Sequence, residues 1–276
     1  MKIKNHIASS ILIYAISACA IPGLSRPAVP AFEPNSIPTM VVLTANAAMA
    51  KTAAAAPPTP TPVPTESATA TPRISLSGTS LFLRDDRTTV FTDHQTGVEL
   101  IVPAGWLAVR INEPEYYDAW GLPELSDPAF QRALTNIQGM NPNEIRLTIL
   151  DTQGGHLLGG FVTNIGLFWY ENNDFSLEND KDLLASADSL SENMPGLKVL
   201  NSKLSANSSG IPIGINTFKR SIKTAEGENK VIYFKQVFVK ARTGVLTITL
   251  TTPEELKEIV FPTFDAMIET MTLVKE

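Results

Sequence analysis

The chain has 276 residues, 22 basic and 28 acidic side chains, a formal net charge of −6 at pH 7, and 43% hydrophobic residues. That balance argues against general nucleic-acid binding, which needs clustered Lys and Arg to neutralise phosphates, and the single cysteine, Cys19, excludes an intramolecular disulfide. The first seventy-odd residues are too biased in composition for a packed core, which leaves roughly 200 residues, 75–276, for one domain large enough to bury a core without disulfides or metals.

Lys2 and Lys4 open the chain, and Ile7 to Ala18 forms an apolar run of a length that suits a signal h-region and falls short of the ~20 residues a membrane-spanning helix needs. Ile16, Ser17, Ala18 and Cys19 resemble the lipobox of bacterial lipoproteins: an aliphatic residue, two small residues and a cysteine. The resemblance implies a signal peptide over 1–19 and lipidation of Cys19, which becomes the mature amino terminus and anchors the protein in the membrane on its extracytoplasmic face. Two acyl chains suffice for stable anchoring. An ordinary secretory signal is the competing reading of the same residues.

Residues 20–74 are rich in Ala, Pro, Thr and Ser, and Pro57, Pro58, Pro60, Pro62 and Pro64 favour extended polyproline II. Such a segment buries too little apolar surface to offset its ordering entropy, so it is expected to be a disordered stalk. As a flexible coil its about fifty residues span roughly 40 Å. A recognition peptide for a proline-binding partner is the alternative.

Within the domain, Thr88–Phe91 and Val98–Val102 read as strands about the turn-prone Asp93–Gly97, and Trp106 begins a third strand of an opening meander. Asn112 to Glu124 reads as an acidic surface loop in which Glu113, Glu115, Asp118 and Glu124 interleave with Tyr116, Tyr117 and Trp120. It is the most site-like stretch of the chain. Glu113, Glu115, Tyr116, Tyr117 and Trp120 are the candidate ligand-binding residues, since carboxylates suit a hard cation and exposed aromatics suit a sugar or protein. The bland alternative is a loop whose aromatics pin it to the core.

Asp127 and Pro128 start a helix with Phe130, Leu134 and Ile137 on one face and Gly139 near its end. Glu144–Leu150 returns to strand, His156–Tyr170 supplies one or two more, and Asn179–Met194 has helical spacing stopped by Pro195-Gly196. Strands then dominate to Thr251, with Ala241–Gly244 suited to a hairpin loop. Leu197 to Arg242 holds nine basic residues (Lys198, Lys203, Lys219, Arg220, Lys223, Lys230, Lys235, Lys240, Arg242) against Glu226 and Glu228. They are solvated strand faces that discourage edge pairing, or a basic surface for an acidic ligand or lipid headgroup. Thr252-Pro253-Glu254-Glu255 fits a capping box opening a last helix, which Pro262 kinks or restarts and which carries the apolar stripe Phe264, Met267, Ile268 and Met271.

Antiparallel strands interrupted by three helices indicate an α+β domain. Val90-Phe91-Thr92-Asp93, the run Gly97 to Trp106, and the closing strand, threonine-capped helix and Met-rich end resemble the Mog/PsbP-like family over about Thr88 to Val274. The resemblance implies an α/β/α sandwich with a mainly antiparallel twisted sheet. Members of that family serve as extrinsic photosystem subunits, as a partner of a nuclear transport GTPase, or as bacterial lipoproteins, and none of their sites transfers to a residue here.

No catalytic or metal-ligating set and no cofactor-binding motif is legible: there is no His-x-x-x-His, no cysteine pair, no phosphate-cradling glycine loop and no Gly-x-Ser-x-Gly turn. His6 lies in the signal, which leaves His94 in a turn and His156 after two glycines. The sequence therefore points to a non-enzymatic binding or accessory module with a protein partner. The alternative is an extracytoplasmic hydrolase or a small-ligand or metal-binding protein that uses residues 112–124, with His94 or His156 brought to it by a deep cleft.

Overall fold

The computed structural model describes residues 73–171, 174–224 and 227–274. Cys19, the signal segment and all but the last two residues of the stalk lie outside them.

Among the described residues eleven strands form two antiparallel sheets. The smaller sheet orders β1 (Thr79–Leu83), β2 (Thr89–Asp93), β3 (Val98–Val102) and, at its far edge, the two-residue β11 (Thr272–Leu273). The larger runs β4 (Trp106–Val109), β5 (Ile145–Asp151), β6 (Asn164–Tyr170), β10 (Val245–Pro253), β9 (Asn229–Lys240), β8 (Pro212–Lys223) and β7 (Lys198–Ala206). Among the described residues four α-helices accompany them: α1 (Pro114–Ala119), α2 (Pro128–Gln138), α3 (Lys181–Asn193) and α4 (Lys257–Glu269).

Period-two patterning decides which way each strand faces. Leu147, Ile149, Ile165, Leu167, Val237, Val239, Leu246, Ile248 and Leu250 line one face of the large sheet, where Phe91, Leu100 and Val102 of the small sheet and Val260, Phe264 and Met267 of α4 cover them. Ile145, Leu150 and Phe168 face the other way, under Tyr116 of α1 and Phe130, Leu134 and Ile137 of α2. Farther along that second face, Ala187 and Leu190 of α3 cover Phe218, Ile232 and Phe234. The domain is thus α+β, an α/β/α sandwich with a mainly antiparallel central sheet, as the sequence leads one to expect. One outer layer combines a helix with the four-stranded sheet.

Helix α2 begins where Asp127 accepts a bond from the Ala129 N–H at 2.8 Å, with Pro128 in the first turn, where an N–H is not needed. Helix α3 lays Leu183, Ala187 and Leu190 on the sheet. Leu183 comes so close to β8 that a Cβ at Gly214 would lie 2.9 Å from its Cδ1. The β9–β10 loop turns at Gly244, whose φ of +71° and position 1.9 Å from the Tyr170 carbonyl oxygen (measured from a built Cβ) leave no room for a side chain.

Three sequence expectations are corrected. Trp106 does not continue the opening meander: after Pro103 to Gly105 the chain crosses to the other sheet, where β4 pairs with β5, while the unforeseen β1 completes the small meander. Residues 112–124 are no loop but α1 followed by a 3-10 turn at Pro123–Leu125, because Tyr116 and Ala119, three residues apart, both bury against the core. Thr252 caps no helix. It remains in the β9–β10 ladder opposite Tyr233, its hydroxyl meets that of Thr163 at 3.0 Å, and a 3-10 turn, Glu254–Leu256, precedes α4. Pro262 sits on the exposed side of α4, which runs through it.

A buried ion pair ties the two sheets together. Asp93, at the end of β2, and Arg146, in β5, have fully buried side chains. Nε and Nη2 of the arginine donate to the two carboxylate oxygens at 2.6 and 2.9 Å, and Nη2 also donates to the Ser77 carbonyl at 2.6 Å. The Gln95 and Thr96 N–H groups bond the same carboxylate, so its charge is surrounded by donors. Removing one partner strands the other charge in the core. Asp93→Ala or Arg146→Met is expected to cost about 3–5 kcal/mol, and the double substitution Asp93→Ala/Arg146→Met less than the sum of the two, as denaturant unfolding of the four proteins will measure.

Candidate functional site

Residues 110–125 are built from the end of β4 outward. Asn112 takes a φ of +62°, the Glu113 N–H bonds the Arg110 carbonyl at 3.2 Å, and Pro114 starts α1. Arg110 is nearly buried, at 5% exposure, and folds back so that Nε and Nη2 bond the two oxygens of Glu115 while Nη1 donates to the Thr79 carbonyl at 2.6 Å. Glu115 is thereby the counter-ion of an arginine that joins α1 to β1. Tyr116 is fully buried and its hydroxyl donates to the Leu134 carbonyl of α2 at 3.0 Å. Burial pushes its phenol above the ordinary tyrosine range.

The structure therefore divides the five candidate residues. Glu115 and Tyr116 turn inward and hold the helix in place. Tyr117 and Trp120 turn outward, at 57% and 38% exposure, with Glu113 half-buried at the helix start. Residues 117 and 120 are three apart and share one helical stripe. Each meets the Tyr116 ring edge-on, at 5.4 Å and 79° for Tyr117 and 6.2 Å and 84° for Trp120, so the exposed rings rest on a buried one. Asp118 and Glu124 are exposed beside them.

Neither histidine is joined to this helix by a hydrogen bond or ion pair among the described residues. His94 Nε2 lies 3.3 Å from the Ser80 hydroxyl, but Ser80 is only 6% exposed, which denies a substrate access to it as a nucleophile. His156 Nδ1 lies 2.7 Å from the buried Asp151 carboxylate, whose other oxygen takes the Gln153 N–H at 3.1 Å, so that aspartate orients both a turn and a ring. Among the described residues no group of three or more His, Cys, Asp or Glu side chains is placed to hold a metal, and no helix is long and apolar enough to cross a membrane.

Arg110 and Arg146 escaped the sequence reading because their partners become visible only once the strands are placed. The one available signal was a short arginine-to-glutamate spacing around Asn112 and Pro114.

No protein-family model matches the chain, and no curated protein does. Among solved structures it is similar to cyanobacterial PsbP (CyanoP) from Synechocystis sp. PCC 6803, at 12% identity and TM-score 0.43 over 69% of this chain and 95% of the other. It is also similar to LpqN, involved in cell envelope biogenesis of Mycobacterium tuberculosis, at 13% identity and TM-score 0.40 over 71% of this chain and 91% of that one. The Ran-binding protein Mog1p of Saccharomyces cerevisiae matches at 10% identity and TM-score 0.41, over 68% and 96% of the two chains. These are Mog/PsbP-like neighbours, and the likeness concerns the fold alone.

The division of α1 into an inner and an outer side has a measurable consequence. Because its folded-state pKa is raised, Tyr116 holds its proton longer in the folded protein than in the unfolded chain, so its contribution is complete below about pH 10 and is lost as pH climbs beyond it. Tyr116→Phe is expected to cost about 1 kcal/mol at neutral pH and to flatten the alkaline fall in melting temperature. Tyr117→Ala and Trp120→Ala, made on the outer side, should each cost about 0.5–1.5 kcal/mol, the worth of one edge-on aromatic pair.

Proposed function

We propose that the chain is a membrane-anchored extracytoplasmic lipoprotein whose domain, 75–276, is a non-enzymatic accessory module that binds a partner protein through the outward side of α1. The observation that carries this reading is the pair Tyr117 and Trp120, large aromatics left exposed on a helix whose underside is fixed by Tyr116 and Glu115. Aromatic side chains supply much of the energy of protein interfaces, and rings already held in place lose little entropy on binding. Glu113, Asp118 and Glu124 give the patch an acidic rim, which selects a partner with basic residues around an apolar pocket.

The anchor rests on the lipobox-like Ile16 to Cys19 and the spacer on the proline-rich run before Arg73. Together they set the domain at a stalk's length from the membrane on its outer side, where a tethered module meets its partner at high effective concentration.

Two measurements test the reading. Mass spectrometry of the mature protein from cells is expected to find diacylglyceryl-modified Cys19 as the first residue, and an unmodified or internal Cys19 would sink the anchor. A photoreactive residue in place of Tyr117 is expected to crosslink one reproducible protein. Trp120→Ala should weaken that protein's binding about thirtyfold, in line with the ~2 kcal/mol of an interface hot spot. Crosslinking that is unchanged by Trp120→Ala would overturn the assignment of the interface to α1.

A further inference from the structure

The basic residues of β7–β9 separate into two groups once the strands are in register. Lys230 bonds Glu255 at 2.9 Å and lies 3.7 Å from Glu228, and Lys235 pairs with Asp265. Lys198 and Lys219 have no ion pair among the described residues, yet they stand directly opposite each other in the β7–β8 ladder. Like charges in that position repel and weaken a strand pair.

They also line a cleft of about 210 Å³, together with Gly196, Arg220, Ser221 and Glu254. Lys198 and Lys219 share the face that opens on the cleft, Arg220 alternates to the other, and the one carboxylate, Glu254, accepts the Tyr233 hydroxyl at 3.1 Å. Lys219 is half-buried, with its ammonium 5.9 Å from the centroid of the Tyr233 ring, so its charge is held at the cleft rather than swept through solvent. The ladder slips at Leu200, between Val199 and Asn201, immediately beyond Lys198. A bulge of this kind re-aims neighbouring side chains and recurs beside binding sites.

We infer that the cleft between the start of β7 and the end of β8 is an anion-binding site that takes a phosphoryl group between Lys198 and Lys219, with the Ser221 hydroxyl, two residues on and on the same face, beside them. A bound phosphate replaces the repulsion of the facing lysines with two charge-assisted contacts. The class of ligand is a phosphate-bearing small molecule, whether a soluble phosphate ester or the headgroup of an anionic phospholipid. The inference is independent of the reading of α1.

The test uses the full chain in phosphate-free, low-salt buffer. Inorganic pyrophosphate is titrated by calorimetry, and short-chain phosphatidylglycerol and phosphatidylcholine are titrated below their micelle concentrations. The expected result is saturable pyrophosphate binding, weakened at least tenfold in Lys198→Gln/Lys219→Gln and unchanged in Lys203→Gln, which alters the same strand outside the cleft. Phosphatidylglycerol that binds, is lost in the double variant and has no phosphatidylcholine counterpart identifies the lipid headgroup as the source. Pyrophosphate binding without phosphatidylglycerol binding identifies a soluble ester.

A melting curve supplies the second readout. Without ligand the double variant should melt no lower than the parent, since it removes a repulsion, and pyrophosphate should raise the parent's melting temperature alone. The inference is overturned by absence of saturable binding to either phosphate probe, by equal loss in Lys203→Gln, or by a double variant that unfolds several degrees below the parent without ligand.

Discussion

The buried pair of Asp93 and Arg146 is the constraint on which the arrangement of the domain turns. A carboxylate and a guanidinium removed from water are tolerable only when their own polar atoms have partners, and here these come from two parts of the fold: Ser77, Gln95 and Thr96 from the turns of the small sheet, and Asn143 from the approach to β5. The guanidinium also lies 5.8 Å from the centroid of the Trp169 ring on β6. Hydrophobic contact would let the small sheet slide over the large one, because apolar packing has no direction. A bidentate charge pair fixes its position.

Arg110 repeats the device with different consequences. Its contacts to the Thr79 carbonyl and to Glu115 fasten the first strand of one sheet to the helix that leaves the other. Two arginines thus do the work of disulfides in a chain whose one cysteine lies at position 19. The rigidity conferred on α1 makes Tyr117 and Trp120 a surface rather than a mobile tip. The polar framework of the fold and the proposed interface are therefore parts of one construction, in which the same short helix has an inner side that holds it in place and an outer side that carries the two exposed rings.

What the sequence discloses follows the range of the interactions involved. Helices α2 and α3 were legible almost to the residue because their signals are local: Asp127-Pro128 at one start, Pro195-Gly196 at one end, and apolar residues three and four apart between. The hairpin at Ala241 to Gly244 was equally local. The short α1 was read as a loop since six residues offer too little periodicity, and Glu115 and Tyr116 were grouped with the binding residues since nothing local distinguishes a carboxylate aimed at Arg110 from one aimed at a ligand. At Thr252 a sound local motif was overridden by its place in the β9–β10 ladder. The facing lysines 198 and 219 lie 21 residues apart in the chain (219 − 198) and meet only through the register of β7 and β8, which sequence spacing does not reveal.

The smallest strand sets an order in time. Thr272 and Leu273 complete the sheet that begins at Thr79, the Ile101 N–H bonds the Thr270 hydroxyl, and the Val274 N–H bonds the Gly97 carbonyl. The opening hairpin therefore keeps its outer strand unpaired and its apolar face without α4 until residues 257–274 have been made. Contacts of such long sequence separation, from Gly97 to Val274 and from Ile101 to Thr270, slow folding because the loop they close must be ordered before they form.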